Sequence, residues 1–131
     1  MSSTAHLRNI SPVQRFKALL YIRRQETLDS LRRSEEEQRG LESERPAETG
    51  DLCNQITSRE DLFGRISHHR RLLQRIEAAL RRIEYGTFGV CKECAGEIKS
   101  KRLEVMPWTE YCLRCQERFE TAVSRSISSA F

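Results

Sequence analysis

Two C-x2-C pairs constrain this chain more than any other feature of its sequence. The first pair is Cys91 and Cys94, the second is Cys112 and Cys115, and 17 residues separate the pairs. That separation lies within the ~15–20 residues typical of four-cysteine zinc sites. Two residues between thiolates let one tight turn present both sulfurs at ~2.3 Å from a shared metal, and a second turn completes the tetrahedron. The spacing predicts one structural zinc ion bound by these four cysteines.

A redox or disulfide pair is the competing interpretation of the same motifs. No strand-rich thioredoxin-like pattern surrounds either pair, and four thiolates leave no open coordination position for catalysis. Gly96, just past the first pair, can adopt the positive φ that such turns often need. The fifth cysteine, Cys53, is distant in sequence from the others. It is interpreted as a small packing residue, with redox sensing as the alternative.

The remaining sequence predicts long helices rather than a thick globular core. Of 131 residues, 37% are hydrophobic and 32% are charged, and paired helices need only one apolar stripe each. Residues 1–10 show no periodicity and are interpreted as a flexible N-terminus. Ser11 and Pro12 mark the start of a first helix as N-cap and first helical residue. Its seam positions recur at helical spacing: Val13, Phe16, Leu20, Thr27 and Leu31.

A second helix is predicted over residues 52–85, where seam positions step alternately by four and three residues. This heptad pattern is typical of a coiled coil. The seam consists of Leu62, Ile66, His69, Leu73, Ile76, Leu80 and Ile83. His69 is therefore expected to be partly buried. Gly86 is the predicted C-cap of this helix.

The predicted fold class is mainly α. Residues 11–85 form a long antiparallel coiled-coil hairpin, because the Gly, Pro and Gly within residues 40–51 permit a reversal of direction. Its tip is placed at residues 40–53. Residues 86–123 form a small four-cysteine zinc finger with a short C-terminal helix from about residue 112 to 123, and residues 124–131 form a tail.

Charge is distributed unevenly along the predicted hairpin. Residues 35–51 carry seven acidic and two basic side chains, whereas residues 59–84 carry seven arginines against four acidic side chains. Solvated helix faces explain this pattern. Alternatively, a basic stalk lies along the acidic walls of a partner cleft while an acidic tip approaches a metal or basic centre. Asp51, which follows Gly50, is also a candidate N-cap of the second helix.

The sequence offers no pattern that predicts catalysis. It contains no Gly-rich phosphate loop, no nucleophile with a spaced base and no open metal position, so an enzyme is not expected. The first residues lack an apolar signal region, and no run approaches the ~18 apolar residues of a membrane span. We therefore expect a cytoplasmic, monomeric protein.

An ordered set of motifs resembles the DksA/TraR family. These motifs are FGVCKEC at residues 88–94, then Ile98, RLE at residues 102–104 and Pro107 before Cys112. The resemblance covers most of the chain and is closest over residues 72–115. It implies a bacterial transcription regulator that binds RNA polymerase rather than sequence-specific DNA. In that family the coiled coil enters the secondary channel toward the active-site metal and modulates initiation.

The resemblance also implies functional residues at the tip of the coiled coil. The family carries an aspartate, any residue and then an alanine there, and residues 51–53 occupy that place here. Asp51 matches the pattern and Cys53 departs from it, which puts full regulatory activity in question. Glu48 is assigned to the same tip.

The family's effector ppGpp is held by basic side chains on the arm and the finger. Arg75 and Arg102 are the counterparts in this chain, as contacts to ppGpp or to the polymerase. Met106 and Gln116 stand where the family has two further basic residues, so the implied ppGpp site is incomplete.

Two other functions remain open from the residues alone. A zinc-finger module that contacts nucleic acid directly is favoured by a pI of about 9.0 and by basic residues around the cysteines. These are Lys99, Lys101, Arg102, Arg114 and Arg118. A coiled-coil adaptor for another partner is the third interpretation.

Overall fold

The computed structural model describes residues 11–42 and 49–129. The helices in these residues are α1 Pro12–Glu42, α2 Thr49–Tyr85, α3 Ser100–Val105 and α4 Leu113–Ser129. An isolated antiparallel bridge joins Val90 and Glu97. The predicted mainly α fold is confirmed. The predicted flexible N-terminus at residues 1–10 lies outside the described residues.

α1 begins where the sequence predicts. The Gln14 N–H donates to Ser11 Oγ at 3.3 Å, and Gln14 Oε1 accepts from the Ser11 N–H, also at 3.3 Å. The side chain of each residue thus accepts a hydrogen bond from the backbone N–H of the other, which is the reciprocal arrangement of a capping box. Pro12 follows as the first helical residue, where its missing N–H is not needed.

The described residues divide into two compact units. We call residues 21–42 and 49–77 the hairpin unit, and residues 11–20 with 78–129 the finger unit. α1 and α2 each contribute to both units. α3 and α4 belong to the finger unit.

Within the hairpin unit α1 and α2 run antiparallel. Ion pairs join Arg24 to Glu77 at 3.6 Å, Glu35 to Arg70 at 3.0 Å and Glu37 to Arg65 at 3.7 Å. The Arg59 guanidinium donates to the Leu41 carbonyl at 3.2 Å. As the residue number rises along α1, the number of its partner on α2 falls, which establishes the predicted antiparallel pairing.

The seam of the hairpin unit is thin. Leu62, Ile66 and Ile76 of α2 are fully buried, as predicted, and His69 is half-buried. α1 contributes two small polar residues to the buried set, Thr27 and Ser34. The Thr27 hydroxyl donates to the Arg23 carbonyl at 2.6 Å, a local bond that permits its burial. The sequence pattern included Thr27 but missed Ser34.

Several predicted boundaries need correction. α1 extends to Glu42 and α2 begins at Thr49, so the predicted tip at residues 40–53 is largely helical at both ends, with residues 43–48 outside the description. Asp51 consequently lies within the first turn of α2 and is not the residue that precedes the helix. α4 continues to Ser129, so the predicted tail is wrong for residues 124–129.

Two predicted packing residues are also exposed. Val13 is 44% exposed, because α1 presents Phe16 and Leu20 to the interior of the finger unit instead. Cys53 is exposed on α2, so its interpretation as a packing residue is wrong. None of the helices in the described part of the chain is long and apolar enough to cross a membrane.

Candidate metal centre

The finger begins at a sharp stop to α2. Gly86 has a φ of 74°, its N–H donates to the Ile83 carbonyl at 3.3 Å, and the Thr87 N–H donates to the Arg82 carbonyl at 2.9 Å. This pair of bonds is a Schellman motif, which requires the left-handed conformation that glycine adopts without strain. The predicted C-cap at Gly86 is confirmed.

A tight loop presents the first cysteine pair. The Ile98 N–H donates to the Gly89 carbonyl at 2.8 Å, and the Cys91 N–H donates to the Gly96 carbonyl at 2.8 Å. Inside this closure the Ala95 N–H donates to the Cys91 carbonyl at 3.0 Å. These bonds fold the chain back on itself, so that the thiols of Cys91 and Cys94 face the same point.

Two residues of this loop have a positive φ, Gly89 at 82° and Ala95 at 60°, whereas Gly96, the candidate from the sequence, does not. Gly96 serves close approach instead: its N–H donates to Cys94 Sγ at 3.4 Å, and a Cβ at that position would lie 3.3 Å from the same sulfur. A hydrogen bond to sulfur stabilises the thiolate form that a metal requires. A side chain at position 96 would crowd the Cys94 sulfur, which explains why glycine occupies this position.

The second cysteine pair lies at the start of α4. Cys112 precedes the first helical residue, and the Gln116 N–H donates to its carbonyl at 3.0 Å. Cys115 follows one turn later and is buried. The Lys92 N–H donates to the Glu110 carbonyl at 2.9 Å, which ties the loop of the first pair to the approach of the second.

The four sulfurs converge with the spacing of a tetrahedral zinc site. All four Sγ atoms lie within 4.8 Å of one another, and Cys94 Sγ and Cys112 Sγ are 3.8 Å apart. Four ligands at ~2.3 Å from a tetrahedral zinc ion are separated by about 3.8 Å. The cysteines are free rather than disulfide-bonded. The donor set therefore fits one structural zinc ion, as predicted, with all four ligand positions supplied by the chain.

The surroundings of Cys91 and Cys115 shift the pKa values of these two thiols in opposite directions. Burial alone would raise the pKa of Cys91, but hydrogen bonds from the backbone N–H groups of Cys94, Cys112 and Glu93 outweigh it and lower the pKa to about 6. Burial, together with hydrogen bonds and charge from the other cysteines, raises the pKa of Cys115 to about 12. A divalent metal supplies the charge that allows all four thiolates.

The apolar core of the finger unit is built against the cysteines. Phe16 of α1, Ile98 and Leu103 are buried in one cluster with Cys91 and Cys115. The rings of Phe16 and Phe88 lie 5.5 Å apart. Loss of the metal would therefore disturb the packing of every element that meets this cluster.

Sequence reasoning missed the role of two arginines in the finger unit. The Arg82 guanidinium donates to the carbonyls of Trp108 and Thr109, both at 3.4 Å, and pairs with Glu110 at 3.6 Å. The Arg102 guanidinium donates to the Tyr111 carbonyl at 3.1 Å and to Thr109 Oγ1 at 3.3 Å. Both side chains brace the loop that leads to the second cysteine pair. No sequence spacing signals such bonds, because the acceptors are backbone carbonyls of a loop.

The other predicted site residues that the structure describes belong to α2 of the hairpin unit. Asp51 and Cys53 are in the first turns of α2, and Arg75 is exposed on the same helix. Glu48 lies outside the described residues. The roles of these residues at a polymerase or with ppGpp stay predictions.

A groove of about 840 Å³ lies beside the metal centre in the finger unit. Cys94, Cys112 and Cys115 line it, together with the exposed apolar side chains of Val105 and Leu113. The five basic residues singled out in the sequence also line it: Lys99, Lys101, Arg102, Arg114 and Arg118.

Known proteins share both the motif and the fold. Residues 86–120 match the prokaryotic dksA/traR C4-type zinc finger family. An uncharacterized protein of Aquifex aeolicus is 40% identical over 92 residues, which cover 69% of this chain and 63% of that protein. The RNA polymerase-binding transcription factor DksA of Caulobacter vibrioides is 34% identical over 79 residues, or 60% of this chain and 56% of that protein. The matches thus span less than two thirds of these relatives.

The similarity extends beyond the finger in a solved structure. Transcription factor DksA2 from Pseudomonas aeruginosa aligns with a TM-score of 0.75 and 28% identity, over 88% of each chain. Such coverage includes the helical pair as well as the cysteine cluster. With its C4 finger, its antiparallel helices and these relatives, the chain belongs to the DksA/TraR family.

Proposed function

We propose that this protein binds RNA polymerase through the secondary channel and modulates transcription initiation without sequence-specific DNA contacts. The observation that carries the proposal is the joint presence of the C4 finger and the antiparallel helical pair, matched over 88% of the chain by a transcription factor of the family. A curated relative is named as an RNA polymerase-binding factor. The finger acts structurally in this mechanism.

The described part of α2 near the tip supports a contact role. Leu52, Ile56 and Phe63 are exposed, at 40%, 46% and 63%. Their spacing of four and seven residues places them on one face of the helix. An exposed apolar stripe of this kind suits contact with another protein surface. Asp51 precedes this stripe in the sequence, and we propose that it contacts the polymerase near the active-site metal.

The function is tested by separating binding from regulation. Purified wild-type protein, Asp51→Asn and Cys53→Ala are compared for binding to polymerase and for their effect on transcription in vitro, with and without ppGpp. Asp51→Asn is expected to bind like wild type and to lose the transcriptional effect, because the Asp51 carboxylate is proposed to act after the rest of the tip has docked. Asp61→Asn is the matched control, since it removes an exposed α2 carboxylate ten residues further on.

Deletion of residues 40–53 provides the complementary test. This variant keeps the cysteine cluster and is expected to lose its transcriptional effect and most of its polymerase affinity. Unchanged binding by the deletion variant, or equal loss of activity in Asp61→Asn and Asp51→Asn, would contradict insertion of the tip.

Direct binding of nucleic acid is a second candidate function, favoured by the basic groove beside the metal centre. Five cationic side chains line the groove against two carboxylates, Glu97 and Glu117, and contacts of the cationic side chains with phosphates would make affinity fall with salt. Lys101→Gln and Arg118→Gln are then expected to weaken binding to duplex DNA and to reduce its salt dependence. A gel-shift assay without polymerase that shows no complex at low salt would eliminate this function.

A further inference from the structure

A small polar pocket opens between α1 and α2 within the hairpin unit. Its volume is about 320 Å³. We call it the hairpin pocket. It is lined by Ser30, Arg33, Ser34, Glu37, Arg65 and His69. The set combines two guanidinium groups, an imidazole and two hydroxyls with a single carboxylate.

The two arginines of the hairpin pocket retain free donor capacity. Arg33 donates to Ser30 Oγ at 3.3 Å, which fixes its position on α1 without neutralising its charge. Arg65 approaches Glu37 at 3.7 Å, an ion pair longer than a hydrogen bond. A guanidinium offers five N–H donors in a planar fork, so each of these contacts leaves most donors available.

Ser34 is the least expected member of the pocket. Its side chain is 6% exposed, yet it lines the pocket and makes no side-chain hydrogen bond to another described residue. The Ser34 hydroxyl therefore offers a hydrogen-bond donor at the pocket.

We propose that the hairpin pocket binds a phosphate-type oxyanion, held by Arg33, Arg65, His69 and the Ser34 hydroxyl. A tetrahedral oxyanion presents acceptor oxygens in several directions, which suits donors that converge from two helices. The residues differ from Arg75 and Arg102, which the family resemblance implies for ppGpp. The proposal stands independently of polymerase binding.

Charge explains why an anion rather than a cation fits the pocket. The groups that face His69 are His68 and Arg65 on α2 and Arg33 and Glu37 on α1. Burial, followed by repulsion from His68, Arg65 and Arg33, lowers the pKa of His69 below 6.5. A bound dianion reverses the sign of the local potential and favours the imidazolium. Binding should therefore tighten as the pH falls through the titration range of His69.

Sulfate is the appropriate first probe, because it stays dianionic over the whole range in which histidine titrates. The full-length zinc-loaded protein is titrated with sodium sulfate at constant ionic strength, with chloride as the balancing anion. Binding is followed by the NMR signals of the His69 ring. We expect a saturable shift of those signals and a rise in the pKa of His69 when sulfate is bound. A linear response without saturation, or an unchanged His69 titration, would overturn the proposal.

Charge variants test the assignment of each residue. Arg33→Gln is expected to weaken sulfate binding roughly tenfold, since it removes a charged donor. Ser34→Ala should weaken it by a smaller factor while leaving the helix intact. Glu37→Gln should strengthen it, because the only carboxylate lining the pocket no longer competes for Arg65. An increase in sulfate affinity in Glu37→Gln would not result from a general loss of hairpin structure, which would weaken binding.

Arg32→Gln is the matched control, because Arg32 is exposed on α1, pairs with Asp29 and does not line the pocket. It removes the same net charge as Arg33→Gln and should leave sulfate binding within about twofold of wild type. Equal weakening in Arg32→Gln and Arg33→Gln would mean diffuse attraction to a basic helix and would refute a built site.

Inorganic phosphate and a nucleoside 5′-monophosphate then distinguish the source of the oxyanion. Equal affinities for the two probes support a site for the free ion. Tighter binding of the nucleotide, again reduced by Arg33→Gln, supports a site for the phosphate group of a larger molecule. Binding of neither probe, under conditions where sulfate saturates, would overturn the assignment to phosphate chemistry.

Discussion

The finger unit and the hairpin unit obtain their structure in different ways. In the finger unit four cysteines, two from a loop and two from the start of α4, converge on one point, and the buried side chains of Phe16, Ile98 and Leu103 pack around them. In the hairpin unit a single seam of aliphatic residues is shared with buried Thr27 and Ser34, and exposed ion pairs join the two helices. The finger unit therefore depends on a bound metal, whereas the hairpin unit depends on a narrow heptad seam between two helices.

The difference means that the two units should respond to different perturbations. Exposed ion pairs contribute ~0–1 kcal/mol each, so the aliphatic seam carries most of the stability of the hairpin unit. A structural zinc ion contributes ~10–16 kcal/mol of apparent binding free energy in zinc-finger peptides. We therefore expect removal of the ion to act mainly on the finger unit, and substitutions in the seam to act mainly on the hairpin unit.

Removal of zinc is expected to give the largest effect. A strong chelator, or Cys112→Ser, should unfold the finger unit, because it removes the metal–sulfur bonds that hold the two cysteine pairs together. The only tryptophan of the chain, Trp108, is 7% exposed in this unit and reports its packing by fluorescence and near-UV circular dichroism. Both signals should be lost, while most of the far-UV helical signal from the hairpin unit remains.

The matched control for this experiment is Cys53→Ser, which removes an exposed thiol outside the cluster. It should retain one zinc ion per chain and an unchanged Trp108 spectrum. A metal-free preparation with native Trp108 fluorescence would show that the ion is dispensable for the finger. Complete loss of helical signal on chelation would show that the units are not separable.

Truncation in the seam is expected to give the next largest effect, on the opposite unit. Ile66 is 2% exposed, so Ile66→Ala removes buried methyl groups and leaves a cavity, at a cost of about 2–4 kcal/mol. Thermal unfolding followed by far-UV circular dichroism should shift to lower temperature. The zinc content and the Trp108 signal at low temperature should not change.

Phe63→Ala serves as the control on the same helix. Phe63 is 63% exposed, so its truncation should change stability by about 0.5 kcal/mol or less. If Phe63→Ala and Ile66→Ala destabilised the hairpin unit equally, the seam would be placed on the wrong face of α2. Zinc loss in Ile66→Ala would contradict the separation of the two units.

The two units also differ in how far the sequence predicts them. The C-x2-C spacing predicted the four ligands, because metal coordination demands fixed residue types at short fixed distances. The heptad pattern predicted Leu62, Ile66 and Ile76, because burial repeats along a helix. Such patterns are local in sequence, so they can be recognised without knowledge of the fold.

Features that depend on tertiary approach were not predictable in the same way. Ala95 rather than Gly96 adopts a positive φ. Gly96 is instead required because a Cβ at that position would lie close to the Cys94 sulfur. Ser34 is buried because of what faces it on the other helix, and serine alone does not signal burial. Arg102 was assigned to an external ligand by resemblance, whereas its guanidinium also bonds within the finger.

The smallest effect on stability is expected from substitution of Arg102, whose side chain braces the loop before Cys112 in the finger unit. Arg102→Gln removes the charged donor to the Tyr111 carbonyl and to Thr109 Oγ1, both of which are acceptors in the loop before Cys112. The site is partly exposed, so we expect a loss of about 1 kcal/mol in finger stability. Zinc should transfer to a competing chelator about fivefold faster, since the loop opens more often.

Lys101→Gln is the control, because Lys101 is exposed next to Arg102 and lines the same groove. If only Arg102→Gln accelerates zinc transfer in the free protein, the side chain has a bracing role that does not depend on any ligand. Equal rates in both variants and wild type would remove that role and leave Arg102 as a surface contact. Because the measurement is made without polymerase or ppGpp, it separates support of the metal centre from recognition of a partner.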